Sequence, residues 1–137
     1  MVTPLAPTSY NGANQTNSQF ETHTDSSITV TSDTYVDIDV IYFSNYVNGL
    51  FTIENTHASN SLTYTIYGHE SENGGTYPAA SDLGWIALNG AKDIVVAAQA
   101  NSEQSLTDRV AWLLIRMKRT SAGQSSAATL LSRCYKA

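Results

Sequence analysis

The chain has 137 residues, enough for one domain with a proper hydrophobic core and too few for two. Apolar residues make up 42% and charged residues only 14%, against the roughly 25% usual in soluble domains, and Ser, Thr and Asn fill the difference. The net charge of -5 and the lack of any zinc, helix-turn-helix or RNP-type pattern exclude an ordinary nucleic-acid binder, and no apolar run reaches the ~18 residues that span a bilayer.

Residues 1–26 show neither helical nor strand periodicity. They are rich in Thr, Ser, Asn and Gln, lack the basic and apolar regions of a signal peptide, and carry Tyr10 and Phe20 as isolated large apolar groups. This segment reads either as a disordered tail or, more sharply, as an extended N-terminal arm with Tyr10 and Phe20 as anchors on a neighbouring subunit, and residues 27–137 read as the folded domain. From Ser27 the period becomes two. Ser27–Thr31 is a short strand. Between Thr34 and Phe43, Val36, Ile38, Val40 and Tyr42 point one way and Tyr35, Asp37, Asp39 and Ile41 the other. Asn48-Gly49 supplies a turn, followed by strands Leu50–Asn55 and Leu62–Tyr67, which Gly68 ends. Residues 69–84 form the longest loop, with Gly74, Gly75, Pro78 and Gly84. Trp85–Leu88 and Asp93–Ala97 are short strands around an Asn89-Gly90 turn.

Residues 102–118 fit two periods. Leu106, Val110, Leu113, Leu114 and Met117 have helical spacing, while alternation in Val110–Met117 fits a strand that is apolar on both faces. The strand is preferred because its neighbours are β. Ala122-Gly123 then turns the chain into a last strand, 127–135. About eight short strands with frequent turns predict an all-β antiparallel sandwich, jelly-roll-like or Ig-like.

Candidate chemistry is sparse. His23, His57 and His69 lack the close spacing of zinc ligands, so no metal and no cofactor is expected. Asp37 and Asp39, two residues apart on one strand, read as a solubilising pair on an exposed face rather than as a glycosidase dyad. There is no Gly-x-Ser-x-Gly elbow and no phosphate loop, and Cys134 has no activating base near it in sequence, so catalysis is not expected. Trp85, Trp112 and the eight tyrosines offer an alternative as a sugar-stacking platform. Charge is segregated along the chain: all twelve acids lie between Glu21 and Asp108, and six of seven bases follow. Arg116, Lys118, Arg119 and Arg133 would form a basic stripe on the ribbon made by the last two strands, suited to an acidic partner surface.

The run Phe51-Thr52-Ile53-Glu54-Asn55-Thr56, then Leu62-Thr63-Tyr64-Thr65-Ile66-Tyr67-Gly68, Trp85-Ile86-Ala87-Leu88 and Trp112-Leu113-Leu114-Ile115-Arg116-Met117-Lys118 resembles small β-sandwich virion proteins of tailed bacterial and archaeal viruses, of the capsid decoration or cement type. The resemblance covers about residues 50–135. It implies a non-catalytic virion part on the outer capsid surface, bound to the major capsid protein or other virion subunits as a homo-oligomer, a trimer for preference, without nucleic acid or membrane. The alternatives are a carbohydrate-binding or host-adhesion module, or a neck or tail fitting.

Overall fold

The computed structural model describes residues 20–88, 90–120 and 126–136. They form nine strands: β1 (Phe20–Val30), β2 (Val36–Tyr42), β3 (Tyr46–Asn55), β4 (Leu62–His69), β5 (Ile86–Ala87), β6 (Ile94–Val96), β7 (Asn101–Leu106), β8 (Trp112–Arg119) and β9 (Ser126–Lys136). One sheet has the order β1-β9-β3-β7; the other runs β2-β8-β4-β5, with β6 also on β4. All pairings are antiparallel. Taking β5 and β6 as one interrupted strand, the chain alternates between sheets in the order of a jelly roll, which decides between the two sandwiches the sequence allowed.

Period-two burial explains the two layers. On β3, Phe51 and Ile53 point inward; on β4, Leu62, Tyr64 and Ile66 do; on β8, Leu113, Ile115 and Met117 do, and these residues share one core between the sheets. The strand reading of residues 102–118 holds: β7 and β8 occupy that stretch, separated by a loop, and β8 is buried on both faces because it lies between β2 and β4 with a loop above it. The expected Asn48-Gly49 turn is instead strand interior. A side chain at Gly49 would press on the Phe51 and Phe43 rings, so glycine there makes room for two aromatic rings in the core.

Two further expectations change. β1 begins at Phe20 and pairs with β9 from Phe20↔Tyr135 onward, so the boundary set after residue 26 falls inside a strand. Its inward residues Glu21 and His23 are polar, which hid the strand from a reading that looks for apolar alternation. On β2 a bulge between Asp37 and Asp39 inserts Ile38 as an extra residue, pairing Asp37 with Arg116 and Asp39 with Ile115. The two carboxylates therefore lie on opposite faces. Asp37 is half-buried on the outside, and Asp39 is buried inside, so they are not an exposed pair.

Candidate functional site

The long loop between β4 and β5 folds back over the outer face of the β2-β8-β4 sheet. Alternation on β8 and β2 sends Trp112, Leu114 and Val40 to that face, where they pack with Trp85, Ala111, Tyr42, Tyr67 and Tyr77 as a second, aromatic core. The ring centroids of Tyr42 and Trp112 are 4.6 Å apart, and Tyr77 contacts both tryptophans. The indole N–H of Trp112 donates to the Glu72 carbonyl and that of Trp85 to the Ala79 carbonyl, so both polar handles tie the loop down. Glu72 anchors it a third time, its carboxylate accepting from Tyr42 Oη and Ser44 Oγ. The tryptophans are thus buried, and the alternative of a sugar-stacking platform does not find them presented to solvent.

The same loop walls a cleft of about 610 Å³ at one end of the sandwich. Gly68, Leu88, Val110 and Ile86 form its apolar side, and His69, Glu70, Asp108 and Arg109 its polar side. His69 Nδ1 accepts from the Ser71 N–H, which leaves the proton on Nε2, and Asp82 Oδ1 lies 3.1 Å from that atom, close but poorly aligned for a hydrogen bond. The Gly84 N–H donates to Asp82 Oδ1; that bond first, then His69, holds the Asp82 carboxyl below its ordinary range. A side chain on Gly84 would strike the His69 ring. The imidazole is therefore a tether for the loop, wedged against Trp85 at 5.1 Å. Arg109 is exposed at the mouth of the cleft, and it also lines a smaller one of about 210 Å³ beside it.

The residues singled out from sequence are scattered. Tyr10 lies outside the described residues, as does the Ala122-Gly123 turn, and of Phe20 only the backbone is described, in β1. The basic stripe does not form, because β8 and β9 belong to different sheets. Each of its arginines meets an acid of this chain. Arg116 Nε lies 2.8 Å from Asp37, Arg119 Nε 2.7 Å from Asp33, and Arg133 Nη2 3.9 Å from Glu103 while donating to Thr52 Oγ1. Arg116 also stacks on Tyr67, and the Lys118 ammonium sits 4.9 Å over the Tyr35 ring. Tyr35 Oη in turn donates to Asp93, and burial with that acid pushes its phenol well above the ordinary range. His57 is a turn residue, its Nδ1 accepting from the N–H groups of Ser59 and Asn60. Cys134 is buried, and burial, with Glu21 and Asp39 nearby, pushes its thiol up to about 12. Among the described residues no group of three or more His, Cys, Asp and Glu side chains is arranged to hold a metal ion.

What the sequence reading missed is the cleft and the aromatic roof. The signal available was β8 itself, apolar on both faces and followed by bases, which requires something to cover the outer face.

No protein-family model matches the chain, and no curated protein matches it. Solved structures with a similar shape include a crystal structure of PirA, 18% identical over 83% of this chain and 92% of that one, with a TM-score of 0.49. Another is a chain from Bacillus endospore appendages, described as disulfide-linked pili, 14% identical over 88% and 94% of the two chains, with a TM-score of 0.40. A third is infectious bursal disease virus VP2 in a subviral particle, 13% identical over 85% of this chain but only 33% of that chain, with a TM-score of 0.32. None of these three is a decoration protein of a tailed virus, and at such identities and scores no function carries over from them.

Proposed function

We propose that the chain is a structural, non-catalytic subunit of a virion, seated on the outer capsid surface through its β5–β6 side. A jelly-roll fold alone names no activity. The observation that carries this reading is the distribution of exposed apolar groups: the three most exposed large ones among the described residues, Leu83, Ile86 and Val95, lie on β5 and β6 or in the loop entering β5. The three arginines of β8 and β9 are paired inside the chain, and His69 and both tryptophans are committed to holding the loop. Among the described residues Leu83, Ile86 and Val95 form an apolar edge with Arg109 at the mouth of the neighbouring cleft, the composition of an interface core with a polar rim.

A symmetry-resolved density map of the native particle tests the reading, with a nine-stranded sandwich on the shell, its β5–β6 side inward, as the expected result. A triple variant Leu83→Ser, Ile86→Ser and Val95→Ser should keep its circular dichroism yet bind undecorated particles at least tenfold more weakly, since buried apolar anchors dominate interface energy. A sandwich found elsewhere than on the outer shell, or equal binding by the variant, refutes it.

A further inference from the structure

At the opposite side of the sandwich the two edge strands β1 and β2, one from each sheet, approach each other. Their inner faces turn polar over part of their length, although Ile28 and Val30 of β1 and Ile41 of β2 enter the apolar core. Glu21 and His23 on β1 and Asp39 on β2 lie at this seam with Ser132 and Cys134 of β9. Three of the five buried side-chain atoms that lack a hydrogen-bond partner among the described residues are here: Glu21 Oε2, Asp39 Oδ2 and Ser132 Oγ. Glu21 has compensation, because its Oε1 accepts from Tyr46 Oη and lies 3.3 Å from Lys136 Nζ. Asp39 has less. Its Oδ1 accepts the Val40 N–H, and its Oδ2 faces His23 Nε2 across the seam at 3.9 Å.

We propose that His23 and Asp39 form a one-proton latch between the two sheets, closed while the pair holds a proton and loosened when it loses it. A proton on Asp39 leaves that buried group without charge, and one on His23 would set opposite charges facing each other at 3.9 Å. Without it, a bare carboxylate is left inside with the Asp25 charge acting against it, and the Lys136 ammonium is engaged 3.3 Å from Glu21. The other neighbours give no relief: the cross-strand partner Ile115 is apolar, the Cys134 thiol stays neutral, and Asp37 with Arg116 faces the other side of the sheet. His23 is 39% exposed while Asp39 is 5% exposed, so the imidazole connects the buried acid to solvent protons. Burial, and after it the Asp25 charge, opposes ionisation of Asp39 and pushes its carboxyl up to about 7, close to neutrality.

The sign follows from linkage. An acid with a raised folded-state pKa stabilises fully below the unfolded value near 4, and that stabilisation is lost as pH rises to about 7. The seam therefore opens toward alkaline pH. The test is amide hydrogen exchange, corrected for intrinsic rates, on the intact chain from pH 5.5 to 8.5. Protection of β1 at Thr22–Asp25 should fall at least tenfold relative to Phe51 and Ile53 in β3, and Asp39→Asn should abolish that fall. Should Asp39→Asn fail to fold, the carboxyl carbon resonance of Asp39 in the wild type decides, a midpoint above 6 being expected. Unchanged relative protection across the range, the same pH response in Asp39→Asn, or a carboxyl midpoint of 6 or below overturns the latch.

Discussion

The loop-roofed outer face and the β1–β2 seam both bury polar groups, and they do so in opposite ways. Under the roof each indole N–H has a carbonyl, Glu72 has two hydroxyl donors and Asp37 has Arg116, while His69 Nε2 is left without an aligned partner. At the seam Asp39, Glu21 and Ser132 keep unpartnered atoms among the described residues. Hydrogen bonding holds Asp82 below its ordinary range in the first region, whereas burial raises Asp39 in the second. One sandwich thus carries two regions with opposite responses to pH. The roof weakens as pH falls through the lowered value of Asp82, and the seam weakens as pH rises from near 4 to about 7.

The largest effect expected is from Trp112→Ala, which removes the centre of the aromatic core and one loop tether, at about 3–5 kcal/mol. Limited proteolysis should then cut within residues 70–84 at rates that leave β1 intact; cleavage at β1 first would erase the distinction between the regions. Asp39→Asn should have the opposite sign, raising stability at pH 8 by about 2–4 kcal/mol on the scale of its raised pKa, with no gain at pH 4. Urea denaturation at the two pH values checks it. Gly84→Ala should cost about 1–3 kcal/mol by forcing the His69 ring aside, again with the loss confined to the loop, as thermal melts combined with loop proteolysis would reveal. Asp37→Asn should cost at most about 1 kcal/mol, because the Arg116 pair is partly solvated, and a double-mutant cycle with Arg116→Gln isolates the pair. The smallest effect is a null result: Cys134, its thiol pushed up to about 12, should resist alkylation at pH 8 until the chain unfolds, as mass spectrometry would report.

Much of the fold was legible in the sequence because half-buried strands announce themselves. Phe51 and Ile53 on β3, Leu62, Tyr64 and Ile66 on β4, and Leu130 and Cys134 on β9 all alternate with outward residues, and the structure buries them as that pattern requires. β1 was not legible from Glu21 to Asp25, since its inward positions are polar and only the facing sheet reveals that they are inside. The candidate site was less legible still. Its parts come from residues 68 to 110, joined by a loop whose path depends on the tryptophans beneath it.

Composition and periodicity by themselves determined that this chain is an all-β sandwich, because side-chain direction along a strand is a local property. Three matters depended on tertiary structure: that a bulge at Ile38 sends Asp37 outward and Asp39 inward, that β8 and β9 part company into separate sheets, and that the segregated charges of the sequence meet as pairs. The physical reason is the jelly-roll order. It inserts β8 next to the edge strand β2 from the acidic N-terminal part of the chain, so Asp37 becomes the cross-strand neighbour of Arg116, and Asp33 just before β2 meets Arg119.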